Sequence, residues 1–431
     1  MTLKPAVLLI SIDGFSAALF GDAAVKIPTL RALAARGVAA AGLRPAFPSV
    51  TWPCHTTPVT GASPARHGIL GNEVLDRTTG RVVCHEGDPT DAPIRAETLW
   101  DAAAAAGLAT ATLCWPKTRG VRSIRDNVPE FLEQPLFEEW TSRPLWDEAR
   151  ALGLPIERYA DWSVSRPLTP MQDWLTLELT RHVVRRRPPD LLLTHFLMVD
   201  AFQHEFGPGS PEARWAMEHA DGLVATLLAE LASAGRLETT DVVVLGDHGF
   251  VPVEHRALPN AALHAAGLLE VDASGVVRSS QARVTANGGS AHVYVGAGRG
   301  AGERAREVIA AAPGVAEVLG PETFAGLGLP HPAEDPTQGD LVLHAAEGWY
   351  FTSHATPERA ASALAYRGTH GHRSSDPRLH AAFLAAGPSI VGSARTGVLD
   401  QLDVAPTIAS ILGVRLAAAE RTAAPSVLRR F

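Results

Sequence analysis

Apolar runs of strand length alternate with stretches of helical period along most of the chain. Residues 6–12 are β-branched and leucine-rich and stop at Asp13-Gly14, the pattern of a strand buried on both faces. Helical spacing follows over 28–37, with a proline near its start and a glycine at its end, then over 96–107 ahead of a strand at 109–115. A helix ending in Arg185-Arg-Arg187 leads to an apolar strand at 190–199, and a helix over 212–234 leads to another at 241–245. Asp13, Asp200 and Asp247 thus fall at or just past the ends of three apolar strands. Open parallel sheets bind their ligands at that carboxyl edge.

The period breaks twice. Residues 119–177 crowd aromatics, prolines and acids without a clear repeat, which reads as an inserted cap. Residues 256–364 hold glycine-rich turns, strand-like runs at 292–295 and 340–343, and a helix over 303–312, which reads as a small mixed α/β insertion. The core resumes with Gly368-Thr-His-Gly371, a strand at 380–386 and a helix over 403–413. The expected fold is an α/β/α sandwich around a mostly parallel sheet. Its core is drawn from 1–118, 178–255 and 365–431, and 119–177 and 256–364 are inserted.

Composition narrows this picture little. The 431 residues are 46% hydrophobic, enough for a large core, and the net charge of −8 with a pI near 6.1 offers no grip on nucleic acid or an anionic membrane. Lysine occurs at positions 4, 26 and 117, a coding bias toward arginine. Cys54, Cys84 and Cys114 form no CxxC pair, so reduced thiols and a cytoplasmic location are expected. The first apolar run is too short to span a membrane, and its cleavage would remove Asp13. The sequence leaves the oligomeric state open.

The chemistry centres on Phe47-Pro-Ser-Val-Thr-Trp-Pro-Cys-His55. Thr51 lies between two prolines ahead of a glycine turn, on stiff backbone. A threonine hydroxyl is a poor nucleophile until a metal binds its oxygen. Ligands for one are present: Asp13, Asp200 with His204 four residues on, the adjacent Asp247 and His248, and His370. Oxygen and imidazole donors without thiolate favour zinc, with manganese or iron as substitutes. Three aspartates and an ionised Thr51 balance two divalent cations, leaving a near-neutral site that a phosphoryl group can bridge. Attack by Thr51 then gives a phosphothreonine that water hydrolyses. Asn72 is a neutral donor for the phosphoryl oxygens. His55 and His67 read as structural hydrogen-bonding residues, and His195, His372 and His380 as ordinary ones.

Taken jointly, Ser11-Ile-Asp-Gly14, the Thr51 run, Ala65-Arg-His-Gly68, Asp200-x-x-x-His204, Gly246-Asp-His-Gly249 and Gly368-Thr-His-Gly371 resemble the alkaline phosphatase superfamily. Within it they resemble the nucleotide pyrophosphatase/phosphodiesterase branch. The resemblance implies one zinc on Asp200, His204 and His370, and a second on Asp13, Asp247, His248 and the Thr51 oxygen. It also implies Thr51 as nucleophile, Asn72 as phosphate donor, and Trp52 as the aromatic that contacts a base in a small phosphodiester or nucleotide substrate. Cys54 stands where the family often has asparagine. Related phosphonoacetate hydrolases place a lysine near Lys117 to hold a substrate carboxylate, so a C–P bond hydrolase is one alternative. A catalytically silent metal-bound module is the other. The Cys-x-Pro-x-Arg motif of sulfatases is missing.

Overall fold

The computed structural model describes residues 6–83, 93–163, 165–298, 300–363 and 365–429; Lys4 and Cys84 lie outside them. An eight-stranded sheet runs in the spatial order Ala394–Asp400, Val38–Arg44, Phe383–Ala386, Thr240–Leu245, Ala6–Ile12, Leu191–Phe196, Thr110–Trp115, Asp126–Pro129. Phe383–Ala386 is antiparallel to both its neighbours, and the other pairings in the sheet are parallel.

The central strand shows why both faces are covered. Leu8, Ile10 and Ile12 enter one apolar cluster, with residues of the helices Pro28–Arg36, Thr169–Arg186 and Pro211–Ser233. Val7 and Leu9 enter another, with residues of Leu99–Ala105 and Val404–Leu412. Alternating side chains of one strand therefore hold two helical layers, the expected α/β/α sandwich. Among the described residues no helix is long and apolar enough to cross a membrane.

The expected elements shift at their ends for local reasons. The helix read over 96–107 starts at Leu99, because the Thr98 hydroxyl and the Asp101 carboxylate form a capping box there. The strand read over 190–199 stops at Phe196, and Met198 opens a helix to Phe206. Asp173 sets that start, its carboxylate accepting from the Leu197 and Met198 N–H groups at 2.8 and 3.0 Å. Asp200 therefore stands in the first turn of a helix, with His204 one turn on along the same face.

The stretch 119–177 first supplies the sheet's edge strand, Asp126–Pro129, then the short helices Gln134–Trp140, Arg143–Ala151 and Tyr159–Ser163. In 256–364, Ala282–Asn287, Ser290–Val295, Leu341–Ala345 and Val315–Leu319 form an antiparallel sheet with its own apolar cluster. The turn between the first two strands points into the core. There Asn287 bonds the 72–73 backbone and the Gly289 N–H donates to the His370 carbonyl at 2.7 Å.

Candidate active site

Thr51 is the first residue of a helix, Thr51–Thr60, with Val50 as its cap. Pro53 is tolerated in the first turn, where no helical N–H bond is due. One turn on, the His55 ring donates from Nδ1 to the Thr51 carbonyl at 2.8 Å and meets the Ser11 hydroxyl at 2.8 Å through Nε2. The helix start thus places the Thr51 hydroxyl in the positive end of the peptide dipole.

Two acid and imidazole sets converge beside it. In each of Asp200, His204, His370 and Asp13, Asp247, His248, donor atoms lie within 4.8 Å of one another. The His248 and His370 rings stack at 3.6 Å and join the sets. In the first set, His204 donates from Nδ1 to the Gly368 carbonyl and His370 from Nδ1 to the Ser49 carbonyl, both at 2.9 Å. Their Nε2 atoms then face each other as lone pairs 3.2 Å apart. Burial holds both rings neutral, His204 lowered to about 3 and His370 to about 4. A cation held by Asp200, His204 and His370 would turn this repulsion into attraction.

The second set is buried. Asp247 accepts from the Gly14 and His248 N–H groups through Oδ1, both at 2.9 Å. Asp247 Oδ2, Asp13 Oδ1 and His248 Nε2 have no hydrogen-bond partner, and neither has Asp200 Oδ1 in the first set. Burial raises Asp13 well above the usual carboxylate range, helped by Asp247 and Asp200, and pushes Asp247 up to about 7. Buried polar atoms of this kind are almost always partnered. Divalent cations fit the donor set and satisfy these atoms together.

Gly14 makes the close approach possible. Its φ is +70°, and a Cβ there would lie 2.8 Å from Gln203 Nε2 and 2.8 Å from the Phe250 ring.

Asn72 reaches the helix start, its Oδ1 accepting from the Trp52 N–H at 2.9 Å, which leaves its Nδ2 group to face the cavity. That cavity, about 430 Å³, is lined by Asp13, Thr51, Trp52, Asn72, Asp200, His204 and His370 among others. Asp247 and His248 lie beneath its floor, fully buried. Lys117 does not line it. Its ammonium sits 5.3 Å from the Trp52 ring centroid, in a neighbouring cavity of about 380 Å³ that shares Trp52 as a wall.

Five residues join the site without a signal in the sequence reading. His195 sets Nε2 3.1 Å from Asp13 Oδ2, and Asn287, Glu73, Arg166 and Tyr366 line the cavity. Tyr366 precedes the Gly-Thr-His motif by only two residues, which was a usable hint. His55 and His67 form the hydrogen bonds expected of them, His67 with the Thr57 hydroxyl and the Ile69 N–H.

A family model described as type I phosphodiesterase / nucleotide pyrophosphatase matches residues 7–373. The chain belongs to that family. This places it in the alkaline phosphatase superfamily, as its motifs suggested. An uncharacterised pyrophosphatase/phosphodiesterase of Schizosaccharomyces pombe is 28% identical over 58% of this chain and 46% of its own length. Human ectonucleotide pyrophosphatase/phosphodiesterase family member 7 is 26% identical over 58% of this chain and 49% of its own. The chain thus spans about half, or less, of the curated relatives it matches. In structure it is similar to mouse family member 5, an inactive threonine-to-alanine variant in complex with AMP. The TM-score is 0.70 and the identity 18%, over 96% of each chain. Human member 5 gives 0.70 and 19% over 95% of each. The similarity in fold therefore extends through residues 119–177 and 256–364.

Proposed function

We propose that the protein is a zinc-dependent hydrolase of phosphodiester or pyrophosphate bonds in small nucleotides, acting through a phosphothreonine at Thr51. The observation that carries this reading is the meeting of two ligand sets, each with orphaned donor atoms, at the N-terminus of the Thr51 helix. Asp200, His204 and His370 would hold one ion, and Asp13, Asp247, His248 and the Thr51 oxygen the other. Bound there, divalent cations supply the charge that lowers the Thr51 hydroxyl pKa and offsets charge on the leaving oxygen.

Thr51 Oγ gives up its proton to solvent water and attacks phosphorus in line. The new Oγ–P bond forms as the bond to the leaving oxygen breaks, and that oxygen departs with the electron pair. The helix N-terminus and the Asn72 Nδ2 group stabilise the equatorial oxygens. Water then cleaves the Oγ–P bond and restores the hydroxyl. Trp52 offers an indole wall for a base, since its backbone is locked to Asn72 and its ring lines the cavity. The AMP in the mouse relative supports a nucleoside monophosphate as the retained half. The buried free thiols of Cys54 and Cys114 support a reducing, cytoplasmic setting.

Because Lys117 lies outside the cavity, the geometry lends no support to a carboxylated phosphonate as substrate. Initial rates of the zinc-loaded protein on the p-nitrophenyl ester of thymidine monophosphate and on phosphonoacetate test the proposal. Turnover of the diester is expected; activity confined to the phosphonate, or absent from both, overturns it.

A further inference from the structure

The strand Leu191–Phe196 gives Leu191 and Leu193 to one apolar cluster, and His195 continues that face by the alternation of the strand. A leucine would complete it. A fully buried imidazole there must instead find partners for its nitrogens. The first comes from a backbone irregularity: Cys114 adopts φ +60° where the pairing of Thr110–Trp115 with Asp126–Pro129 slips between Leu113 and Trp115, and its carbonyl accepts from His195 Nδ1 at 3.1 Å. The second is Asp13. The parallel register sets His195 beside Ser11, so Asp13, two residues on, lies on the same face, with its Oδ2 3.1 Å from His195 Nε2. Since the Cys114 carbonyl only accepts, a single proton on the Nε2–Oδ2 line completes both bonds. The His55 ring packs on that of His195 with centroids 4.1 Å apart, which fixes its plane.

The oxygens of Asp13 are thereby divided. Oδ2 is engaged by His195, while Oδ1 lies 3.6 Å from His248 Nε2 and has no hydrogen-bond partner. We infer that His195 is a positioning residue for the Asp13, Asp247, His248 set: by fixing Oδ2 it aims Oδ1 at the cation this set would hold. The inference rests on the metal-site reading above. Left to itself a carboxylate can turn either oxygen inward, and an imidazole anchored on the Cys114 carbonyl removes that freedom. Partners of this kind change metal affinity about 10- to 100-fold.

The test is the zinc affinity of wild type, His195→Asn and His195→Gln, read on the loaded proteins by competition with a chromogenic chelator, with urea unfolding of each. The asparagine amide keeps a donor for the Cys114 carbonyl but stops short of Asp13, whereas the glutamine amide reaches the Nε2 position. In His195→Asn one of two zinc equivalents is expected to bind about 10- to 100-fold more weakly and the other as in wild type, and His195→Gln recovers most of the loss. Added to Asp200→Asn, in which the Asp13 set is the one left intact, His195→Asn weakens the remaining equivalent by the same factor. Unchanged affinities in a folded His195→Asn overturn the inference. So does a fall at both sites that tracks the urea midpoint, the mark of a residue that only fills the core, and so does a glutamine variant no better than the asparagine one. A wild type that holds no zinc overturns the reading of the site itself, and the inference falls with it.

Discussion

Asn287→Ala separates the contribution of the 256–364 stretch to the proposed catalysis from its bulk. The Asn287 Oδ1 accepts from the Asn72 N–H at 2.7 Å and the Glu73 N–H at 3.1 Å, while its Nδ2 donates to the Glu73 carbonyl at 3.0 Å. Asn287 is almost wholly buried, so truncation leaves these backbone groups without partners. An orphaned buried group costs about 1–3 kcal/mol, and relaxation recovers part of it, so the folded state loses about 2–4 kcal/mol. Asn72 also loses the anchor that fixes its backbone. A displacement of about 1 Å at a positioned group lowers rate roughly 100-fold. Urea unfolding reads the first effect, and kcat/KM on the p-nitrophenyl diester, at matched zinc content, reads the second. Asn287→Asp keeps the acceptor but turns an oxygen on the Glu73 carbonyl, so its rate falls between the two. A stability loss with an unchanged rate refutes the claim that Asn72 acts through this clamp.

Three further outcomes follow from the site. Thr51→Ala keeps its metal and fold and loses almost all turnover; full activity in a metal-loaded preparation removes the covalent route. Asp200→Asn weakens one ligand set and binds one equivalent of zinc instead of two, read by elemental analysis after dialysis. Metal affinity rises with pH up to about 7: Asp247, raised to about 7 without metal, is largely protonated below that and must release its proton to coordinate. Calorimetry in buffers of different ionisation heat shows protons released at pH 6 and fewer at pH 8; no difference between them contradicts the assignment of Asp247.

The two carboxylate–imidazole clusters were legible because parallel strands deliver their chemistry to one edge, and the strand ends at Asp13 and Asp247 follow directly from the apolar runs. Asp200 was found for a partly mistaken reason. Its spacing to His204 is helical, and the strand stops four residues earlier because Asp173 starts a helix from a different segment. The Thr51 helix was hidden by Pro53 and Pro58, which lower helix propensity in any local reading. The strand Val38–Arg44 is alanine- and glycine-rich and carries little β signal. Arg166 and Asn287 lie in segments whose pattern gives no hint of a site, and tertiary packing alone carries them there. Lys117 shows the converse: it follows the strand Thr110–Trp115 closely, yet its side chain lies on the far side of Trp52 from the reaction.

The Asn287–Gly289 turn also constrains how this architecture can be re-engineered. One end of it grips the backbone of Asn72 and the other the carbonyl of His370, so the proposed phosphate donor and a proposed metal ligand share a single external brace. A chimaera that exchanges residues 256–364 for a foreign module must reproduce those few atoms before any new specificity can be expressed. Grafts that preserve the hairpin tip and vary the lobe behind it are the ones that will retain chemistry.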